Sequence, residues 1–200
     1  LIYSCKKSRI PIAALVHSWD ILPTKGHLSA VPDRLMVWNN PMADDAIQLH
    51  GVPKDRVDIV GGPQYEYYRL VEEIANEQRF RKRLCIPDDA KIITYACSGD
   101  HHVFFSDELE FIKNLLRTIC TGSVDSSILV VRLHPTAGMA ERYINEFEDQ
   151  GLPIRFDYAD DNFAAENTWS VGQPKSVIRF VELMKYSSVV INHSSTIALD

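Results

Sequence analysis

Cysteine is sparse in this sequence, with four among two hundred residues: Cys5, Cys85, Cys97 and Cys120. None forms a C-x-x-C pair and the usual zinc spacings are missing, which excludes a zinc-finger or dithiol redox centre, and no metal or other cofactor is expected. The thiols read as reduced and mostly buried, the pattern of a cytosolic protein. No apolar run approaches the length of a membrane span, and no signal peptide is visible. The first residue is Leu rather than Met, so the missing signal says nothing of the native N-terminus. A long basic stripe is also lacking. The net charge is -6, which argues against nucleic acid as the principal partner.

What is present is an ordinary globular composition, 46% hydrophobic and 24% charged. There is no repeat and no low-complexity segment. Apolar runs alternate with helical patterns. "IPIAALV" (Ile10 to Val16), "LMVW" (Leu35 to Trp38) and "VDIV" (Val57 to Val60) read as strands. Between the last two, "NNPMADDAIQLHG" reads as a helix with Pro41 in its first turn and Gly51 past its end. Gly61-Gly62-Pro63 then marks a domain junction, so residues 1–62 are expected to form one domain and 63–200 another. A polar helix is expected from about Tyr68 to Leu84, ending in "RFRKRL". Its cations Arg79, Arg81, Lys82 and Arg83 suit either a helix C-terminus or an anionic membrane surface.

From Lys91 the rhythm is regular. "KIITYACSG", "SILVVRLHP", "LPIRFDY" and "SVVINHSS" read as strands. The helices between them carry apolar faces at Leu109, Ile112, Leu115, Leu116 and Ile119, then Met139, Tyr143, Ile144 and Phe147, then Val177, Ile178, Val181 and Met184, with Ser106 capping the first and Gly151 stopping the second. Strands alternating with helices of this length predict a Rossmann-like parallel sheet covered on both faces. Val189, Val190 and Ile191 read as a strand buried on both sides.

In such sheets ligands bind beyond the carboxyl ends of the strands. That rule selects three loops: "CSGDHH" with Ser98 and Gly99, "RLHPT" with Arg132, His134 and Pro135, and "NHSST" with Ser194, Ser195 and Thr196. Hydroxyls and free N–H groups at a helix N-terminus suit a phosphate, although a capped helix needs the same residues. Pro135 fixes the turn after His134, which either donates to a phosphate or is a satisfied core histidine. Asp100-His101-His102 has poor chelation geometry and reads as a solvated or substrate-facing loop.

"RLHP" followed some sixty residues later by "VVINHSSTIALD" resembles the nucleotide-binding half of GT-B-fold transferases. The likeness is nearest to the CDP-glycerol glycerophosphotransferases, the capsule and lipopolysaccharide sugar transferases, and the bacterial sialyl- and polysialyltransferases. "RFRKRLCIPDDAKIITYACSG" is similar to the start of that domain. "HSWDILPTKG" (His17 to Gly26) resembles the end of the acceptor domain in surface-carbohydrate biosynthesis proteins, and "DRLMVWNN…HGVPKDRVDIVGGPQYEYY" resembles their crossover. The acidic-acidic-Gly motif of the sialyltransferases is not in the chain, where Asp44-Asp45 is followed by Ala46.

The resemblance implies a transferase that moves a sugar or polyol phosphate from a CMP-, CDP- or UDP-type donor to a hydroxyl of a surface-glycan or polyol-phosphate acceptor. It implies a cytoplasmic setting, with peripheral attachment to the inner face of the membrane as an option. The His-Pro pair falls on His134 and Pro135 and the Ser-Ser pair on Ser194 and Ser195, both toward the nucleotide phosphates. Asp200 falls where a carboxylate meets the ribose. The leaving nucleotide gains charge that Arg132, His134 and the N–H groups near Ser194 to Thr196 would stabilise. Asp20 and His17 are the candidate bases, with Asp20 alternatively a loop carboxylate capping a backbone N–H. A nucleotide-sugar 2-epimerase of the same fold and a non-catalytic nucleotide-sugar-binding protein are the alternatives. The expected chain is a fragment holding the end of an acceptor-side domain and a truncated donor-binding domain, and it is expected to bind nucleotide weakly without turnover.

Overall fold

The structure is a computed structural model, and it describes residues 2–98, 108–122, 126–134, 140–147, 151–158 and 174–193. The chain divides into two compact units, Leu1–Glu66 and Tyr67–Asp200.

In the first unit, α1 (Ile2–Lys7) precedes β1 (Ala13–Leu15), α2 (Ile21–Thr24), β2 (Arg34–Val37), α3 (Asn40–Gln48) and β3 (Val57–Ile59). The strands pair in parallel in the order β1-β2-β3. The start of α3 follows from sequence. The side chain of Asn39 accepts the Met42 N–H at 3.0 Å, and Pro41 sits where no N–H is needed. Gly51 then turns the chain away with φ +64°, a conformation that favours glycine. The core gathers Val16, Leu22, Leu35, Val37, Trp38, Met42, Ala46 and Val52. Trp38 donates its indole N–H to the Val16 carbonyl at 2.7 Å and meets Tyr65 edge-on. A Cβ on Gly62 would lie 2.7 Å from the Tyr65 ring, so only glycine lets that ring close over Trp38.

The second unit opens with two short helices, α4 (Glu66–Glu72, shared with the junction) and α5 (Glu77–Arg83), in place of the single helix expected from Tyr68 to Leu84. Asn76 is the reason. Its side chain accepts the Arg79 N–H at 2.8 Å, and its backbone is extended, so it starts a new helix rather than continuing the old one. There follow β4 (Lys91–Ala96), α6 (Glu108–Cys120), β5 (Ser127–Arg132), α7 (Ala140–Phe147), β6 (Ile154–Asp157), α8 (Pro174–Tyr186) and β7 (Val189–Asn192). These four strands form one parallel sheet in the order β6-β5-β4-β7.

Both faces of this sheet are covered, as the α/β rhythm predicts. Tyr95, Leu129, Val131 and Leu133 pack with Ile112 and Leu116 of α6 and with Tyr143 and Phe147 of α7. Ile92, Ile128 and Val130 pack on the other face with Phe80 of α5 and Leu183 of α8. β5 is buried from Ser127 to Val131, which suits its unbroken apolar run. Two expectations change. Among the described strands β7 lies at the edge of the sheet beside β4, and its Val189 is half exposed rather than covered. On α8 the residues fully turned inward include Leu183 with Val181, while Val177, Ile178 and Met184 are only half-buried. Ser106 and Met139 lie outside the described residues.

The cysteines also differ from expectation. Cys97 is buried, Cys5 is intermediate, and Cys85 and Cys120 are exposed; all four are free. Cys120 is the last residue of α6 and Cys85 follows the C-cap of α5, and chain just at or past a helix end lies at the surface. No helix among the described residues is long and apolar enough to cross a membrane.

Candidate functional site

The strand order sets the site. The chain lays down β4, then β5 and β6 to one side, and finally returns to place β7 on the other side of β4. The order therefore reverses between β4 and β7, and at such a switch point the loops leave in opposite directions and open a crevice at the carboxyl ends. Register fixes those ends on one line. Asp157, Arg132, Ala96 and Asn192 form a single rung across all four strands. Ser98 and His134 each stand two residues beyond it, as does Ser194 in sequence.

Ser98 joins the two sides of the switch point. Its hydroxyl donates to the His193 carbonyl at 2.7 Å, and its backbone N–H donates to Glu108 Oε1 at 2.9 Å. Glu108 is buried in the first turn of α6 and also accepts the hydroxyls of Tyr95, at 2.8 Å, and Tyr143, at 3.0 Å. Hydrogen bonds to a charged group stabilise by about 1.5–3 kcal/mol each, so this carboxylate anchors β4, α6 and α7 together at the carboxyl end of the sheet. Burial, followed by the Glu108 charge, pushes the Tyr95 and Tyr143 hydroxyls well above the usual phenol range. The same two causes push the Cys97 thiol far up, which makes it an inert packing group rather than a nucleophile.

Arg132 ends β5 and is held from several sides. Its guanidinium pairs with the fully buried Asp157, donates to the Tyr158 carbonyl at 2.9 Å, and lies 5.8 Å from the Phe180 ring centre. Asp157 also receives Arg83 at 2.6 Å. His134 is half-buried just past this strand end. Gly99, Pro135, Ser194, Ser195, Thr196 and Asp200 lie outside the described residues, as does Asp100-His101-His102.

The other two candidates belong to the first unit. His17 is exposed just past β1. Asp20 precedes α2, but its side chain makes no cap to the helix; it accepts the Ser18 hydroxyl and lies 3.7 Å from Lys25. The Ser18 hydrogen bond, aided by Lys25, holds its carboxyl below the usual value.

Sequence reasoning missed Glu108 and Asp157. Glu108 stands four residues before Ile112 on the apolar face of α6, so a carboxylate at a core position was the available signal. Asp157 falls at a strand end, where an exposed acid and a buried one look alike in sequence.

No protein-family model matches the chain, and no curated protein does. Solved structures do. The chain is similar to the UDP-GlcNAc 2-epimerase from Methanocaldococcus jannaschii, with a TM-score of 0.55 and 15% identity over 96% of this chain and 52% of that one. It is also similar to the wall teichoic acid polymerase TagF, with a TM-score of 0.48 and 20% identity over 82% of this chain and 36% of that one. The chain thus spans about half the length of the epimerase and about a third of the polymerase. At 15% identity the likeness to the epimerase speaks to architecture. The fold is the Rossmann-like α/β fold that GT-B enzymes share, as the sequence motifs imply.

Proposed function

We propose that this chain is part of a GT-B-type transferase that takes a nucleotide-activated donor of the CMP, CDP or UDP kind and passes its sugar or polyol phosphate to an acceptor hydroxyl on a surface glycan. The observation that carries this reading is the switch point between β4 and β7, bridged by Ser98 and His193, with Arg132 and His134 on the adjacent strand end. Residues 63–200 would hold the donor and residues 1–62 the acceptor side. In this reading His134 donates to a phosphate oxygen, and Ser98 and Gly99 shape the loop beneath it. Arg132 supplies fixed positive charge, pre-oriented by Asp157, where the leaving nucleotide becomes more negative. Pro135, Ser194, Ser195, Thr196 and Asp200 keep the roles that the motif resemblance gives them. Asp20 or His17 would take the acceptor proton.

The likeness to a 2-epimerase supports a second reading, because that enzyme type uses the same fold without an acceptor. Titrating CMP, CDP, UDP and GDP by calorimetry tests what both readings share. One nucleotide should bind, and His134→Ala should weaken it about tenfold to a hundredfold, the loss of one charge-assisted hydrogen bond. No binding by any nucleotide would overturn both. Product analysis with and without acceptor, on a version extended at both termini, then separates transfer from epimerisation.

A further inference from the structure

We infer that the groove between α5 and α8 is a binding site for a phosphate-bearing anion, separate from the proposed nucleotide site. The groove has a volume of about 360 Å³ and is lined by Arg79 and Arg83 of α5 and by Lys175, Ile178, Arg179 and Glu182 of α8. Ser98, His134 and the end of β7 contribute none of these residues.

Four cations line this groove in a chain of net charge -6, and the ion pairs of Arg79 with Glu182 and of Arg83 with Asp157 account for only part of that charge. Arg79 and Arg83 stand one turn apart on α5, and Lys175 and Arg179 one turn apart on α8. Like charges at that spacing destabilise a helix by a few tenths of a kcal/mol. Lys175 lies in the first turn of α8, which carries no acidic residue, so its charge opposes the helix dipole. The carboxylates within reach are already engaged. Glu182 accepts from Arg79 at 3.0 Å, and Asp157 accepts from both Arg83 and Arg132. Arg83 therefore shares its carboxylate with a second guanidinium.

Arg83 shows the imbalance at the level of one atom. Its Nη1 donates to Asp157, while its Nη2 is buried and has no hydrogen-bond partner among the described residues. A buried cationic N–H left unsatisfied is costly, and native proteins rarely keep one without a use. An anion in the groove would satisfy it and relieve both like-charge pairs. The planar fork of arginine matches a phosphate, with several donors toward its oxygens. The phosphate can belong to a soluble ester or to a lipid headgroup; the chemistry is the same.

The test uses the chain as it stands, with two probes: inorganic pyrophosphate by calorimetry, and vesicles of phosphatidylglycerol in phosphatidylcholine, against phosphatidylcholine alone, by flotation. At least one probe should bind, more weakly as salt is raised. Lys175→Ala with Arg179→Ala should weaken it about tenfold, while Ser98→Ala with His134→Ala should leave it unchanged. Lys175→Glu, at an exposed position, repeats the comparison if the double variant melts early. Pyrophosphate binding assigns a soluble ester, and vesicle binding without it assigns a headgroup. Binding of neither probe, equal binding by the α8 variants, or loss in the Ser98 and His134 variant instead would overturn the inference. Because the readout needs no nucleotide, the proposed transferase function can fail without it.

Discussion

The hydroxyl of Ser98 donates to the backbone carbonyl of His193 at 2.7 Å, tying the end of β4 to the end of β7 where the strand order reverses. Below this bond the two strands are joined by their ladder, which ends at the Ala96–Asn192 pair. Ser98→Ala removes the hydroxyl bond and should cost about 0.5–1.5 kcal/mol of stability. If nucleotide binds at the proposed site, its affinity should fall about threefold to tenfold, since the ends of β4 and β7 are no longer tied. Urea denaturation and calorimetry read the two effects, and unchanged affinity would make the bond a purely structural one.

Glu108 accepts three hydrogen bonds through two oxygens. Glu108→Gln turns one acceptor oxygen into a donating amide nitrogen; the Tyr143 hydroxyl can reverse and accept from it, but the charge that strengthens all three hydrogen bonds is lost. A destabilisation of about 1–3 kcal/mol is expected, with hydrogen exchange at the Ser98 amide rising more than the global loss accounts for. Exchange that rises only in step with global stability would mean that the carboxylate does not hold this loop.

Raised acid constants in the same cluster give a pH dependence. Tyr95, Tyr143 and Cys97 all hold their protons more tightly folded than unfolded. Their contribution is fully present below the unfolded values, about 8.5 for a thiol and about 10 for a phenol, and is lost as pH rises through and above them. Unfolding free energy should fall above pH 9 by up to about 1.4 kcal/mol per pH unit for each group. Tyr95→Phe should make that slope shallower while lowering stability near neutrality. An unchanged slope would show that the phenol is not what resists ionisation.

Much of this architecture was legible from periodicity. Helices and strands from Lys91 onward fall where the apolar spacing puts them, because packing on two faces leaves a strong imprint on β5 and α6. Asn76 was not legible as a break, since a cap residue inside a charged run does not disturb hydrophobic spacing. The inward turn of Leu183 depends on where α8 crosses the sheet, which no local pattern encodes. Of the site, Ser98 and Arg132 are found at strand ends on the predicted edge, but their partners Glu108, His193 and Asp157 come from distant positions in sequence. Only tertiary pairing reveals those.

Asp20 is a candidate base whose surroundings weaken its basicity. The Ser18 hydroxyl, together with Lys25, favours its ionised form and holds its pKa below the usual carboxylate value. Carboxylate NMR should show this directly, and Ser18→Ala should move the titration upward. Since the folded value is depressed, the associated stability is present above the unfolded value and is lost as pH falls through the folded one. A titration at or above the ordinary carboxylate range would remove the Ser18 contact as its cause.

Asp157 decides whether Arg132 is a donor for ligand or a strut for the sheet. The carboxylate is fully buried and sits between Arg83 and Arg132, at the end of β6. Removing one partner of a buried ion pair strands the other charge, at a cost of about 3–5 kcal/mol. Asp157→Ala leaves two guanidinium groups facing each other and should fall in or above that range by urea denaturation. Arg132→Met should cost less, because Arg83 still neutralises Asp157 and the methionine stem keeps the packing against Phe180. The decisive comparison is nucleotide affinity measured well below the melting temperature of each variant. If Arg132 supplies charge to the proposed site, Arg132→Met weakens binding about tenfold or more while remaining the more stable of the two. If affinity survives in Arg132→Met, the guanidinium serves only to hold β5 against β6, and the phosphate contacts must come from His134 and the backbone N–H groups beyond β7.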